Sequence, residues 1–300
     1  MLAAPLYHRG YRHMHRPGTD DRGVVRTYPP PTPGEAWAGG PPDLKLDDEG
    51  SDMRTWPFAL GAAAGAAGWG IYSAVSPTGQ GFGRSFVGTP GTGKLLAITF
   101  DDGPNTAWTP QLLEVLDRHG VKATFFTIGH YAREQPSLLR EVAAAGHAIG
   151  NHTYTHVTMP LHTDDTIRRE LRDTTRAIEE AGVEMAQVNG RRLMRPPYGR
   201  RRPGTLRVLW EAGYIPILWS VTLWDWSKNV TTEKIMRKAE KQIKGGDVIL
   251  LHDGCDVAMG WDRGHSVHSA DLILQQWKEQ DGFEFVTVPE MIERSGFTGP

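Results

Sequence analysis

Short apolar and β-branched runs alternate with amphipathic segments from residue 95 to near the end of the chain. The runs predict strands at Leu95–Phe100, Ala123–Ile128, Ala148–Asn151, Leu193–Arg195, Ile215–Val221, Val248–His252 and Phe283–Val288. The amphipathic segments predict helices at Thr109–His119, Gln135–Ala145, Asp164–Ala181, Thr205–Ala212, Thr231–Ile243 and Ala270–Gln280. Strand followed by helix, repeated along the chain, predicts an α/β fold with a parallel sheet.

The chain before residue 95 follows other patterns. Residues 1–55 show no apolar periodicity and carry a run of prolines at Pro29–Pro31, which predicts a disordered tail. Trp56–Val75 carries no charged residue over nearly the length that crosses a bilayer, and we expect it to anchor the chain in a membrane. Two alternatives stay open for this Ala- and Gly-rich segment. It is either a helix docked on the catalytic domain or an export signal that begins at Met53.

The remaining organisation follows from composition. Residues 76–94 are rich in Gly, Ser, Thr and Pro and predict a linker, and residues 95–296 form the expected catalytic domain. The formal net charge of −2 gives no indication of a nucleic-acid partner. The single cysteine excludes both an internal disulfide framework and a cysteine-rich zinc site.

Polar residues with metal-binding and acid–base chemistry follow the predicted strands. Asp101 and Asp102 end the first strand and precede a Gly-Pro turn, which would let both carboxylates face one site. His152 and His156 follow the third strand, and two histidines with one carboxylate leave coordination positions open for water, as in catalytic metal sites. Taken alone, an Asp-Asp-Gly sequence is also common in surface turns. A pair of histidines four residues apart can also arise by chance among the twelve histidines of the chain.

Three further segments carry chemistry at later strand ends. Arg195-Pro-Pro-Tyr-Gly199 is a rigid loop able to orient its arginine and to present a backbone N–H group. Trp219–Trp226 is rich in aromatic residues and contains one acid, and Val248–Leu251 leads directly into His252 and Asp253. Because these residues end separate strands, a barrel is favoured over an open doubly wound sheet.

The segments TFDDGP (99–104), HTYTH (152–156), RPPYG (195–199) and LLHDG (250–254) appear in the order of the motifs of the carbohydrate esterase family 4 polysaccharide deacetylases, the NodB homology domain. The chain resembles that family over roughly residues 95–294. The resemblance implies a distorted (β/α) barrel with about seven strands. It also implies hydrolysis of N-acetyl groups of an amino-sugar polymer outside the cytoplasm: peptidoglycan, a chitin-like oligomer or an exopolysaccharide.

The resemblance also assigns roles to residues. Asp102, His152 and His156 would hold a divalent metal, most often Zn²⁺ and sometimes Co²⁺. Asp101 would be the general base, oriented by Arg195, and His252 the general acid. The backbone N–H of Tyr198 would bind the oxyanion. Substrate contacts are expected at Pro197, Trp226 and Leu250.

One position departs from the family pattern. The fourth motif usually reads Asp-x-x-Asp-Trp, whereas here Thr222 replaces the first Asp and Asp225-Trp226 retains the rest. We expect that first Asp to support the catalytic histidine in relatives, so either His252 has lost its partner or Asp225 supplies the contact. Two other functions stay open: hydrolysis of a different amide or ester at the same site, and sugar binding by an impaired, membrane-tethered enzyme.

Overall fold

The computed structural model describes residues 56–299, with side chains described from residue 65 onward. Nine helices are assigned in this part of the chain: α1 Trp56–Val75, α2 Thr109–Arg118, α3 Gly129–Glu134, α4 Pro136–Ala144, α5 Asp164–Glu180, α6 Thr205–Glu211, α7 Thr232–Gln242, α8 Gly264–Ile273 and α9 Val288–Ser295. The strands are β1 Leu95–Asp101, β2 Thr124–Thr127, β3 Ala148–Asn151, β4 Gln187–Val188, β5 Arg191–Met194, β6 Tyr214–Pro216, β7 Val221–Thr222, β8 Val248–His252 and β9 Glu284–Phe285. The predicted disordered tail, residues 1–55, lies outside the described residues.

The strands form one mostly parallel sheet, which confirms the predicted α/β class. The order is β4-β5-β3-β2-β1-β8-β7, with β6 also paired to β5 and β9 to β1. Only the β4–β5 pair is antiparallel among the strand pairs of the described region. The helices between the strands make the crossover connections that parallel strands require.

The segment 214–222 joins the two ends of this sheet. Its first half, β6, pairs with β5, and its second half, β7, pairs with β8. The sequence pattern predicted a single strand here, and that prediction was wrong. The chain changes partners in the middle: the N–H of Ile217 donates to the carbonyl of Met194, and that of Leu218 to the carbonyl of Phe86.

The period of two along a strand sorts side chains into two layers. Ile98 and Phe100 of β1 pack in the large apolar cluster between sheet and helices. Ala97 belongs to a second cluster on the opposite face, together with Leu250 of β8. Thr99 and Asp101 share the face of Ala97, so β1 delivers its polar residues to the inner side of the curved sheet.

Helix boundaries agree with the predictions to within one or two residues for α2, α4, α5, α6 and α7. The predicted strand Phe283–Val288 is shorter, because Thr287 and Glu290 form a capping box that starts α9 at Val288. The helix predicted at Ala270–Gln280 begins earlier, with α8, and ends in a π-helical segment, Leu274–Gln280.

The apolar segment Trp56–Val75 forms a single helix, α1, as a continuous run without breaks should. None of the helices in residues 56–299 is both long and apolar enough to cross a membrane. The predicted transmembrane anchor at Trp56–Val75 is therefore not supported. The carbonyls of Ser73 and Ala74, at the end of α1, instead accept hydrogen bonds from Arg201.

Candidate metal and acid–base site

Asp101 is buried at the C-terminal end of β1 and is held by Arg195. One guanidinium nitrogen, Nη1, donates to Asp101 Oδ1 at 2.6 Å and to Thr99 Oγ1 at 2.8 Å. Arg195 is fully buried, and its guanidinium carbon lies 4.1 Å from the ring centroid of Phe126 and 5.5 Å from that of Trp219. Burial lowers the pKa of Arg195, and the Asp101 carboxylate opposes this shift. Arg195 thus fixes one oxygen of Asp101 and leaves Oδ2 facing the histidines, 3.8 Å from His152 Nε2.

Asp102 points into the same site because the backbone bends there. Its φ of 72° lies in the left-handed region, which reverses the alternation of a straight strand. A side chain at the next residue, Gly103, would collide with the carboxylate of the buried Asp253, so a larger residue here requires that carboxylate to move. The bend that the Asp-Asp-Gly-Pro sequence predicted is therefore present.

Asp102, His152 and His156 offer ligand atoms that lie within 4.8 Å of one another. Asp102 Oδ1 is 3.4 Å from His152 Nε2 and 3.2 Å from His156 Nε2, and it is buried without a hydrogen-bond partner. Burial raises the pKa of Asp102, but His156 and His152 lower it by more, so the net shift is downward. A buried carboxylate oxygen facing two imidazole nitrogens fits a divalent cation, which satisfies all three at once.

The far nitrogens of the two histidines are held by different groups. His152 Nδ1 lies 2.8 Å from the carbonyl oxygen of Arg195, so it carries the proton and leaves the Nε2 lone pair free. His156 Nδ1 lies 3.1 Å from the carboxylate of Asp256. Such partners fix the tautomer and ring orientation of metal-ligating histidines.

His252 stands beside Asp101 in the register of the paired strands β1 and β8. Its Nδ1 lies 2.9 Å from Asp225 Oδ1, and its backbone N–H donates to Asp225 Oδ2 at 2.7 Å. Ser266 also donates to Oδ2, which leaves the buried Asp225 fully hydrogen-bonded. Burial lowers the pKa of His252, but Asp225, together with the smaller effects of Asp102 and Asp101, raises it to about 9.

Thr222 does not contact His252 in this arrangement. Its hydroxyl oxygen accepts a hydrogen bond from Trp219 Nε1 at 2.6 Å, and its backbone pairs with the side chain of Gln242. Of the two alternatives left by the sequence, the structure therefore supports Asp225 as the partner of His252.

The remaining predicted site residues surround this centre. Tyr198 has a φ of 58° and places its ring centroid 4.6 Å from that of His156. The ring of Trp226 is 41% exposed and lies 5.0 Å from His252, edge to face. Pro197 and Leu250 are buried.

The sequence motifs did not reveal three hydrogen-bonding partners of site residues. These are Thr99, which bonds to Arg195, Ser266, which bonds to Asp225, and Asp256, which bonds to His156. Thr99 could have been found, because it shares the inner face of β1 with Asp101. Asp256 comes from the loop after β8, where no periodicity fixes a side chain's direction. Ser266 lies in the first turn of α8, and the sequence pattern predicted a helix there only from Ala270 onward.

The catalytic region matches known proteins in both sequence and structure. The family model described as polysaccharide deacetylase matches residues 88–217. A peptidoglycan-N-acetylglucosamine deacetylase of Bacillus cereus is 37% identical over 208 residues, covering 68% of this chain and 90% of that protein. A chitooligosaccharide deacetylase of Sinorhizobium fredii is 40% identical over 172 residues, covering 57% of this chain and 76% of that protein.

A solved structure extends the match to the fold. A peptidoglycan N-acetylglucosamine deacetylase in complex with 4-naphthalen-1-yl-N-oxidanyl-benzamide superimposes with a TM-score of 0.60 at 32% identity, covering 69% of this chain and 92% of that one. The four sequence motifs, the parallel sheet and these relatives agree, and the chain belongs to the polysaccharide deacetylases of carbohydrate esterase family 4.

Proposed function

We propose that this protein is a metal-dependent hydrolase that removes N-acetyl groups from an amino-sugar polymer and releases acetate. The observation that carries the proposal is the buried oxygen of Asp102, which faces two histidines and has no hydrogen-bond partner. Asp101, the neighbour of Asp102 in sequence, and His252 are register partners at the ends of the paired strands β1 and β8. A base, an acid and a cation site in one cleft are the groups that amide hydrolysis needs.

Asp102, His152 and His156 would hold the cation, with Zn²⁺ or Co²⁺ suited to two imidazoles and one carboxylate. A divalent ion bound there would lower the pKa of water and polarise the acetyl carbonyl. The backbone carbonyl of Arg195 binds Nδ1 of His152, and the Asp256 carboxylate binds Nδ1 of His156. Both Nε2 atoms would therefore be directed toward the cation.

Asp101 would take the proton from the attacking water. Its Oδ1 is fixed by Arg195, so Oδ2 is the oxygen available to accept a proton. The proton acceptor is thereby held in one orientation, which general base catalysis requires.

His252 would then protonate the leaving amine. Asp225 occupies Nδ1, so Nε2 is the nitrogen that gives up the proton. With its pKa raised to about 9, His252 is charged at neutral pH and ready to act as an acid. The backbone N–H of Tyr198, in the loop beside His156, would bind the developing oxyanion.

The substrate class follows from the relatives and from the site surface. The similar proteins act on peptidoglycan N-acetylglucosamine and on chitooligosaccharides. The half-exposed ring of Trp226, next to His252, offers an apolar face on which a sugar ring can stack. Because peptidoglycan, which the name of one relative gives as its substrate, lies outside the cell membrane, we propose that the catalytic domain acts outside the cytoplasm.

The test is acetate release by the full-length chain across a panel of peptidoglycan, an N-acetylated chito-oligomer and O-acetylated xylan. The proposal predicts acetate together with free amine from one or both amino-sugar substrates and little from xylan. Acetate from xylan alone would show instead that the site hydrolyses esters. Binding of the oligomer without turnover would show a sugar-binding protein.

A further inference from the structure

Asp256 lies in the loop of residues 253–263 that connects β8 to α8, and this loop is fixed at two points. The hydroxyl of Tyr131, from α3, donates to the carbonyl of Cys255 at 2.9 Å. Arg263 donates from Nε to the carbonyl of Gly254 at 2.5 Å. Both anchoring side chains are buried, so the backbone around Asp256 is held against the body of the domain.

One oxygen of Asp256 contacts two residues of the proposed site. Oδ2 lies 3.1 Å from His156 Nδ1 and accepts a hydrogen bond from the Tyr198 hydroxyl at 2.9 Å. The Asp256 side chain is 30% exposed, whereas His156 is 7% exposed, so the contact is made from the rim of the cleft into its interior. The ring of Tyr198 packs against His156, and the three side chains form one contiguous group.

The two histidines depend on their supports in different ways. His152 is held by a backbone carbonyl, which no side-chain substitution removes. His156 is held by a side chain from a separate loop. Without Asp256, the His156 ring could present Nδ1 or Nε2 with comparable ease, and it would lose the contact that fixes its rotation.

We propose that Asp256 is a positioning residue for the cation site. It keeps the proton of His156 on Nδ1, aims Nε2 at the Asp102 oxygen, and through the same carboxylate oxygen ties the Tyr198 loop to this ligand. The inference rests on the proposed cation site, and it adds a residue that none of the four sequence motifs contains.

The experiment measures Zn²⁺ affinity of the full-length chain by competition with a chromophoric chelator, without substrate. Asp256→Ala should weaken Zn²⁺ binding by roughly 10- to 100-fold, the usual cost of losing an outer partner of a ligating histidine. Asp256→Asn keeps an oxygen that accepts a hydrogen bond from the Nδ1–H group of His156. Its Zn²⁺ affinity should therefore lie between those of the wild type and Asp256→Ala. Replacing Zn²⁺ with Co²⁺ gives a visible absorption spectrum that should change in Asp256→Ala.

Two variants serve as controls. Asp262→Ala removes an equal charge from an exposed position of the same loop, where the carboxylate only accepts from the Gly264 N–H. It should leave the Zn²⁺ affinity within about two-fold, because exposed charges act weakly at a distance. Tyr198→Phe removes the second donor to Asp256 and should retain most of the Zn²⁺ affinity.

Wild-type Zn²⁺ affinity in Asp256→Ala would overturn the inference, and so would an equal loss in Asp262→Ala. If Asp256→Ala does not fold, Asp256→Asn decides: unchanged affinity together with an unchanged Co²⁺ spectrum counts against the positioning role. Failure of the wild-type chain to bind Zn²⁺ or Co²⁺ would instead contradict the proposed function, so the two failures are distinguishable.

Discussion

Asp225 is the group whose removal should change the pH dependence of the reaction most. Its side chain is fully buried. Its carboxylate accepts hydrogen bonds from the ring and the backbone N–H of His252 and from the hydroxyl of Ser266. Asp225→Asn keeps the shape and one acceptor but removes the charge beside the imidazole. The substitution therefore separates the electrostatic role of Asp225 from its packing.

The size of the effect follows from the pKa of His252. Burial acts to bring this pKa below the usual 6.5, and the carboxylates of Asp225, Asp102 and Asp101, with Asp225 the largest contributor, raise it to about 9. An opposite charge within hydrogen-bond distance shifts a pKa by roughly 1–3 units, so Asp225→Asn should lower that of His252 by this amount. Because His252 acts in its protonated form, activity falls as pH rises through its pKa. The alkaline limb should therefore move from near pH 9 toward neutral pH.

The assay is the pH–rate profile of acetate release at low substrate concentration, which reports on the free enzyme. The matched control is Thr222→Asp, which restores the usual family residue. Thr222 bonds to Trp219 and not to His252, so this variant should leave the alkaline limb in place. An unmoved limb in Asp225→Asn, or an upward shift of about one unit in Thr222→Asp, would refute the assignment of Asp225 as partner.

Three other outcomes are expected. Asp101→Asn should reduce turnover by roughly 10²–10⁴ while metal content, measured by mass spectrometry, stays unchanged; loss of the metal would show that Asp101 is a ligand. His152→Ala should lose metal and activity together, and retained activity would exclude His152 as a ligand. Arg201→Met should lower the free energy of unfolding in urea by roughly 2–5 kcal/mol, because the carbonyls of Ser73, Ser76 and Gly79 lose a buried donor. An unchanged urea midpoint would show that the end of α1 contributes little to stability.

The sequence was sufficient to predict the alternation of strands and helices, because apolar periodicity and Gly caps are local signals. It failed at 214–222, where two short strands pair with different neighbours. The partner of a strand depends on the curvature of the whole sheet, which no local pattern encodes.

The sequence motifs identified five candidate site residues: Asp101, Asp102, His152, His156 and His252. The structure groups Asp102 with the histidines His152 and His156, and it pairs Asp101 with His252 across β1 and β8. Their roles stay predictions. The motifs did not decide whether Asp225 or Thr222 supports His252. That choice depends on the turn after β7, where Trp224 adopts a left-handed φ of 60° and the following side chains are redirected.

Asp256 illustrates a second limit. It is four residues beyond His252 in a loop without periodicity, and its contact with His156 spans 100 residues of sequence. The anchoring of that loop by Tyr131 and Arg263 holds the backbone from which its carboxylate reaches the histidine.

The proposed reaction is N-deacetylation that depends on a metal held by Asp102, His152 and His156. The most direct test is to strip the full-length chain with a chelator, titrate Zn²⁺ back, and measure acetate and free amine released from an N-acetylated chito-oligomer or from peptidoglycan. We expect no release without metal, recovery that saturates at about one Zn²⁺ per chain, and acetate and amine in equal amounts. Full activity in the metal-free protein, or acetate without a matching amine, would contradict it.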